Sequence, residues 1–188
     1  DRCAMFENKY ILGLGFMMPE LMADYELPEQ DNAFETQNEL FRKITGVDED
    51  LFTQIDITHV GHKGFDVTRK AYGAYNYTKQ ADAGSDSFLK YNYTTIQKGM
   101  AYAFVKVKNA DQLEVRENNG DLIHKYNISR QPYITPIGYF DENTLINLTC
   151  TMKDEAKTGD VNIYFYQMNE EVLKKGYEAI QNGGLTLT

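Results

Sequence analysis

Tryptophan is missing from this 188-residue chain, and cysteine occurs only twice. No stretch is strongly basic, and none is apolar enough to cross a bilayer as a helix. Each absence removes a class of function. With 19 Lys and Arg against 28 Asp and Glu, the formal net charge is −9. Nucleic acid is thereby excluded as a partner, because phosphate neutralisation by clustered basic side chains supplies most of that affinity. The same deficit disfavours docking flat on an anionic leaflet. Cys3 and Cys150 form neither a Cys-x-x-Cys pair nor a zinc spacing. No run reaches the roughly 18 apolar residues of a membrane helix. Asp1-Arg2-Cys3 opens without an initiator Met or a following apolar segment, and Gly184-Leu185-Thr186-Leu187-Thr188 stops within a strand-like alternation. The expectation is a piece of a longer polypeptide.

What is present points to a globular, β-rich fold. The 42% apolar and 25% charged fractions suit a chain with a conventional core. Fourteen Tyr and ten Phe residues favour pleated, half-buried surfaces. The length predicts one domain over 1–188, in which 1–60 is an N-terminal elaboration carrying a helix over 33–45. Asn32 offers that helix an N-cap oxygen, Glu35 completes a capping-box pair and Gly46 suits the left-handed position after its end. A second helix is predicted over 170–181, with Asn169 as N-cap, Gly183 beyond its end, and Val172, Leu173, Tyr177 and Ile180 as the face laid on the core.

Strand patterns fill most of the remainder: 10–14, 51–60, 65–78, 88–95, 101–108, 112–116, 122–128, 133–139, 144–152 and 161–168. Asn118-Asn119-Gly120-Asp121 signals a hairpin, Lys98-Gly99 and Thr158-Gly159-Asp160 signal further reversals, and 80–87 reads as a long exposed loop. Short strands at this spacing, without helices between them, predict a mainly β fold: an antiparallel β-sandwich of jelly-roll character with two accessory α-helices. In 145–152 the alternation places Ile146, Leu148, Cys150 and Met152 on one face, where a thiol acts as a small hydrophobe.

Reactive motifs are scarce. His59 and His62 are the only close histidine pair, and an offset of three puts them on opposite faces of a strand. His124 stands alone. The carboxylates of 48–50, Asp82, Asp86, Asp154 and Glu155 fall in turns and match no EF-hand pattern; a structural calcium between loops is the one cofactor they leave room for. There is no nucleophile elbow or Ser-x-x-Lys motif, and Gly13-Leu14-Gly15 lacks the third glycine of a phosphate loop. No catalytic residue is assigned. The feature above background is tyrosine. Tyr75 and Tyr77 share one strand face, as do Tyr91 and Tyr93. If the two strands pair, the four phenols form a platform that stacks on sugars, with Asn76 and Asn92 hydrogen-bonding beside it. The alternative is that these rings supply the core.

Asn8-Lys9-Tyr10-Ile11-Leu12-Gly13-Leu14-Gly15-Phe16-Met17 is followed by Phe34-Glu35-Thr36-Gln37-Asn38-Glu39-Leu40-Phe41, Thr45-Gly46 and Leu51-Phe52. Later come Pro136-Ile137-Gly138-Tyr139-Phe140, Val161-Asn162-Ile163-Tyr164-Phe165-Tyr166-Gln167-Met168, the helix with Tyr177, and Asn182-Gly183-Gly184-Leu185. This succession resembles the large extracytoplasmic region of bacterial YfhO-type polytopic membrane proteins. The resemblance implies membrane spans on both sides of this region and a parent similar to membrane glycosyltransferases that use lipid-phosphate sugars to decorate polymers such as lipoteichoic acid. It places catalytic acids in loops near the spans, outside this sequence. The expected role is therefore a non-catalytic extracytoplasmic module that binds carbohydrate. The alternative is a structural interaction domain packing on the parent protein or a partner. Teichoic polymers are polyanionic, so at −9 the charge favours neutral sugars of the cell envelope, or packing against the rest of the parent, over direct backbone binding.

Overall fold

Alternation of apolar and polar side chains builds most of the elements, and side-chain caps set the helix ends. The computed structural model describes residue 26 and residues 32–117, 120–127 and 133–182. In order these form α1 (Ala33–Thr45), β1 (Phe52–Ile55), β2 (Ile57–Lys63), β3 (Phe65–Ala71), β4 (Ala74–Lys79) and β5 (Phe88–Thr94). Then follow β6 (Gly99–Val107), β7 (Ala110–Glu117), β8 (Leu122–Asn127), β9 (Tyr133–Phe140), β10 (Leu145–Met152), β11 (Thr158–Met168) and α2 (Glu170–Asn182). The expectations for Cys3, the strand 10–14, Gly13-Leu14-Gly15, Asn118, Asn119, Ile128 and Gly183 lie outside the described residues. The described residues fall into two compact units, one drawn from the segments up to Phe52 and from Asn169 on, the other running Thr53–Met168.

In the first unit both helices begin as their caps predict. The Asn32 side chain accepts from the Phe34 amide at 3.1 Å, and Asn169 accepts from the Glu171 and Val172 amides at 3.1 and 3.2 Å. Gly46 ends α1 in the left-handed conformation. The partner that α2 meets in its own unit is α1: a Cβ on Gly176 would lie 2.4 Å from the Phe41 ring, so glycine permits the close approach. Buried Asn38 holds Phe52 at both ends, donating to its carbonyl and accepting from its amide at 2.8 Å each. Lys175 pairs with Glu49 at 2.7 Å, and Arg42 with Asp50.

The second unit is an antiparallel β-sandwich. One sheet has the order β3-β4-β11-β6-β9, with β1 also pairing β11, and the other β2-β5-β10-β7-β8. The pairings nest: β4 with β11, β5 with β10, β6 with β9, β7 with β8. This is a long hairpin folded over on itself, the topology of a jelly roll. The β2–β3 hairpin adds one strand to an edge of each sheet. Between the sheets pack Phe65, Leu89, Leu113, Val115, Ile137, Ile146, Leu148, Cys150, Ile163, Phe165 and the inward tyrosines. Cys150 is fully buried as the alternation requires, and burial pushes its thiol up to about 12.

Three local expectations are corrected. The single strand expected over 51–60 breaks at Asp56 into β1 and β2, which join different sheets. The strand expected over 65–78 reverses at Tyr72-Gly73, where Gly73 has φ +66° and a Cβ would stand 2.5 Å from the Ile163 carbonyl oxygen. Thr158-Gly159-Asp160 is not a reversal but the start of β11. The glycine there makes room for Tyr77, whose hydroxyl would lie 2.8 Å from an added Cβ.

Candidate functional site

The sandwich brings the four tyrosines singled out by the sequence together, but inside. Tyr75, Tyr77, Tyr91 and Tyr93 are 5%, 1%, 0% and 0% exposed. Tyr75 packs on Tyr91 with ring centres 5.4 Å apart, Tyr93 stacks on Phe165 at 4.3 Å and Tyr77 meets Phe65 edge-on at 5.2 Å. The stacking platform is thereby ruled out. It required β4 and β5 to pair in one sheet, whereas in the jelly roll they lie in opposite sheets and face each other across the core. Burial raises the pKa of all four phenols, so that each holds its proton more tightly than an exposed tyrosine does. Tyr77 donates to the Lys108 carbonyl at 2.6 Å, but the Tyr91 and Tyr93 hydroxyls have no partner among the described residues.

Alternation then sends Asn76 and Asn92 outward on opposite sheets, so they do not form one site. Asn92 sits between His59 of β2 and Asn147 of β10, and Asn76 between Thr68 and Asp160. Both side-chain carbonyl oxygens are covered and lack a partner among the described residues. Elsewhere on the outer face of the second sheet, the Arg116 guanidinium, with Lys125, holds the Glu114 carboxyl below the usual carboxylate range. Asp86 is paired with Lys63. Among the described residues no group of three His, Cys, Asp or Glu could hold a metal ion.

The feature with converging, uncommitted polar groups lies at the open side of the sandwich, where the edge strands β2 and β3 part. A cleft of about 270 Å³ is lined by Ile57, Thr58, His59, Val60, His62, Val67, Arg69 and Tyr75. Its construction is local. The pairing of β2 with β5 slips between Ile57 and His59, so Thr58 is an extra residue in an edge strand, a bulge of the kind that re-aims side chains. Thr58 donates to the Asn92 carbonyl at 3.1 Å, which pins the bulge. Beyond it, register puts Val60 and His62 on the inner row and His59 on the outer, as their spacing requires. Because β2 has a neighbour on one side only, both imidazoles still reach the cleft.

Opposite, the inner row of β3 reads Phe65, Val67, Arg69, paired with Lys79, Tyr77 and Tyr75 of β4. An arginine thus occupies the third place of an apolar row. Its Nε donates to the Ala71 carbonyl at 3.3 Å, and no carboxylate pairs with it among the described residues. Burial pushes the Tyr75 phenol up against the opposing pull of the Arg69 cation. Of the six residues singled out from the sequence only Tyr75 lines this cleft. Arg69, Thr58 and the histidine pair were legible as residues but not as neighbours; the signal available was the charge in the inward alternation of β3.

The chain matches the family model of the bacterial membrane protein YfhO over residues 1–188. No curated protein matches it significantly. Solved structures similar to it include a family two carbohydrate esterase from Cellvibrio japonicus, at 7% identity over 63% of this chain and TM-score 0.39; the chain spans about 33% of that protein's length. CsCBM6-3 from Clostridium stercorarium, solved with cellobiose, is 14% identical over 63% of this chain and 93% of its own, with TM-score 0.40. The GH26-CBM35 β-(1,4)-mannanase of Podospora anserina is 8% identical over 64% of this chain and 28% of its own, with TM-score 0.39. At these scores nothing about ligands transfers to the present chain. No helix among the described residues is long and apolar enough to cross a membrane. Matched along all of its residues, the chain belongs to the YfhO family of bacterial membrane proteins.

Proposed function

We propose that this chain is the extracytoplasmic, non-catalytic recognition module of a multi-span membrane protein that glycosylates cell-envelope polymers of the lipoteichoic acid type, and that it binds sugar in the cleft between β2 and β3. The observation that carries the reading is the cleft itself. Its lining combines the apolar Ile57, Val60 and Val67 with the Tyr75 phenol, two imidazoles and a guanidinium. That combination suits one amphipathic ring. At about 270 Å³ it falls below the roughly 300–1,000 Å³ of ordinary ligand pockets, so it holds a monosaccharide unit and not a buried oligosaccharide. Its lining contains no carboxylate to act as acid or base, in keeping with chemistry done elsewhere in the parent.

Titrating the isotope-labelled chain with monosaccharides, followed by NMR, is expected to move resonances of Thr58, His62, Arg69 and Tyr75 with a Kd on the order of 1 mM, about −4 kcal/mol. Saturable glycoside cleavage by the chain, lost on substituting one carboxylate, would overturn the reading. So would shifts confined to other surfaces. A second reading, a module packing on the parent protein, draws on the helical unit, where Phe41, Ile44, Leu173, Tyr177 and Ile180 line a largely apolar groove of about 220 Å³. On that reading Ile44→Asp with Ile180→Asp lowers the melting temperature of the membrane-embedded parent while leaving sugar titrations of the chain unchanged.

A further inference from the structure

The cleft has a charge that the rest of the chain does not lead one to expect. In a chain of net charge −9, its eight lining residues include one arginine and two histidines and no Asp or Glu. The other two described arginines are both paired with a carboxylate, Arg42 with Asp50 and Arg116 with Glu114. Arg69 spends only its Nε, on the Ala71 carbonyl, so the two Nη groups have no acceptor among the described residues. Neither imidazole, nor the Tyr75 hydroxyl, forms a hydrogen bond to another described residue.

A guanidinium edge with two free N–H groups is shaped for the two oxygens of an oxyanion, and such charge-assisted bonds are about twice as strong as neutral ones. Fixing the arginine by its Nε reduces the side-chain freedom lost when an anion binds. We infer that the cleft selects a sugar unit bearing an oxyanion, a phosphate or carboxylate substituent, with the Nη edge of Arg69 on the charged group and Tyr75, His59 and His62 around it. This rests on the proposed function in one respect, that the anion is carried on a sugar. It replaces the neutral ligand favoured by the overall charge, because the potential that a bound group feels is set within a Debye length of about 8 Å and not by the sum over the chain.

The 188-residue chain is titrated with glucose, glucose 6-phosphate, glucuronate and inorganic phosphate, by NMR and calorimetry, at low and at 0.5 M NaCl. The charged sugars are expected to bind at least tenfold more tightly than glucose, with the advantage shrinking at high salt. Arg69→Gln, at an exposed position, is expected to keep the melting temperature and abolish the difference, and Arg69→Lys to restore part of it. The phosphate and glucuronate arms tell which oxyanion is preferred. Glucose and the charged sugars binding equally would overturn the inference while leaving the sugar reading intact. Inorganic phosphate binding in the cleft with no sugar binding would uphold the anion site and defeat the sugar reading. No binding of any probe defeats both. Arg69 also stands on an edge strand, where inward charges deter pairing between copies. An Arg69→Gln chain that self-associates yet binds charged sugars unchanged would assign the residue to that role and overturn the inference.

Discussion

Replacing tyrosine by phenylalanine, which removes one oxygen and nothing else, tests the sandwich core at two kinds of position. The Tyr93 hydroxyl is buried without a partner, and its ring stacks on Phe165 with centres 4.3 Å apart. The Tyr91 hydroxyl is likewise unpaired. A buried polar group left without a hydrogen bond costs about 1–3 kcal/mol, so deleting it recovers most of that cost. A gap the size of one oxygen, at about 24 cal/mol per Å³, offsets a fraction of the gain. Tyr91→Phe and Tyr93→Phe are therefore expected to raise stability by about 0.5–2 kcal/mol each. Tyr77 differs: its hydroxyl donates to the Lys108 carbonyl at 2.6 Å and receives Asn109 at 3.4 Å. Tyr77→Phe orphans that carbonyl and is expected to cost about 1–3 kcal/mol. Urea titrations give the sign directly as a shift in midpoint at constant slope, and thermal melts should move by about 2–4 °C per kcal/mol for a chain of this size. If all three substitutions shift stability in the same direction, the burial and bonding assigned to these rings are wrong.

Alkaline pH acts through the same rings. Burial raises the Tyr91 and Tyr93 phenols above 10.0, so both folded and unfolded chains keep these protons below that pH. Above it the unfolded chain releases protons that the folded core retains, and stability must fall as pH rises from 10 upward. Phenolate absorbance from these two residues is expected only with unfolding, and its appearance in a chain whose dichroism is still native would refute this. Asn38→Ala leaves the amide and carbonyl of Phe52 without their 2.8 Å partners in a buried place. The expected loss is about 2–4 kcal/mol, read as a lower urea midpoint with faster hydrogen exchange at the Phe52 amide.

The parts of this molecule that depend on near neighbours in sequence could be read without coordinates. Asn32, Asn169 and Gly46 mark helix ends because a cap is an interaction over two to four residues. Alternation put Cys150 among Ile146, Leu148 and Met152 because side-chain direction in a strand repeats every second residue. Asp56 and Tyr72-Gly73 do not stand out as breaks in the pattern, since a strand that changes sheets keeps its alternation on both sides of the break. Spacing alone puts the two histidines on opposite faces of β2, but it says nothing of the edge position that lets both reach one cleft.

For the tyrosines the sequence determined which rings share a face of each strand, and tertiary structure decided which way that face points. Pairing β4 with β5 would have made a platform; pairing β4 with β11 and β5 with β10 turned the same rows toward each other across the core, so that of the four rings Tyr75 alone lines the cleft. The choice belongs to contacts between residues far apart along the chain, which no local pattern encodes. The cleft has the same origin. Thr58 and Arg69 lie on strands of different sheets, and only the crossing of the β2–β3 hairpin from one sheet to the other brings the bulge, the two imidazoles and the guanidinium around a common space.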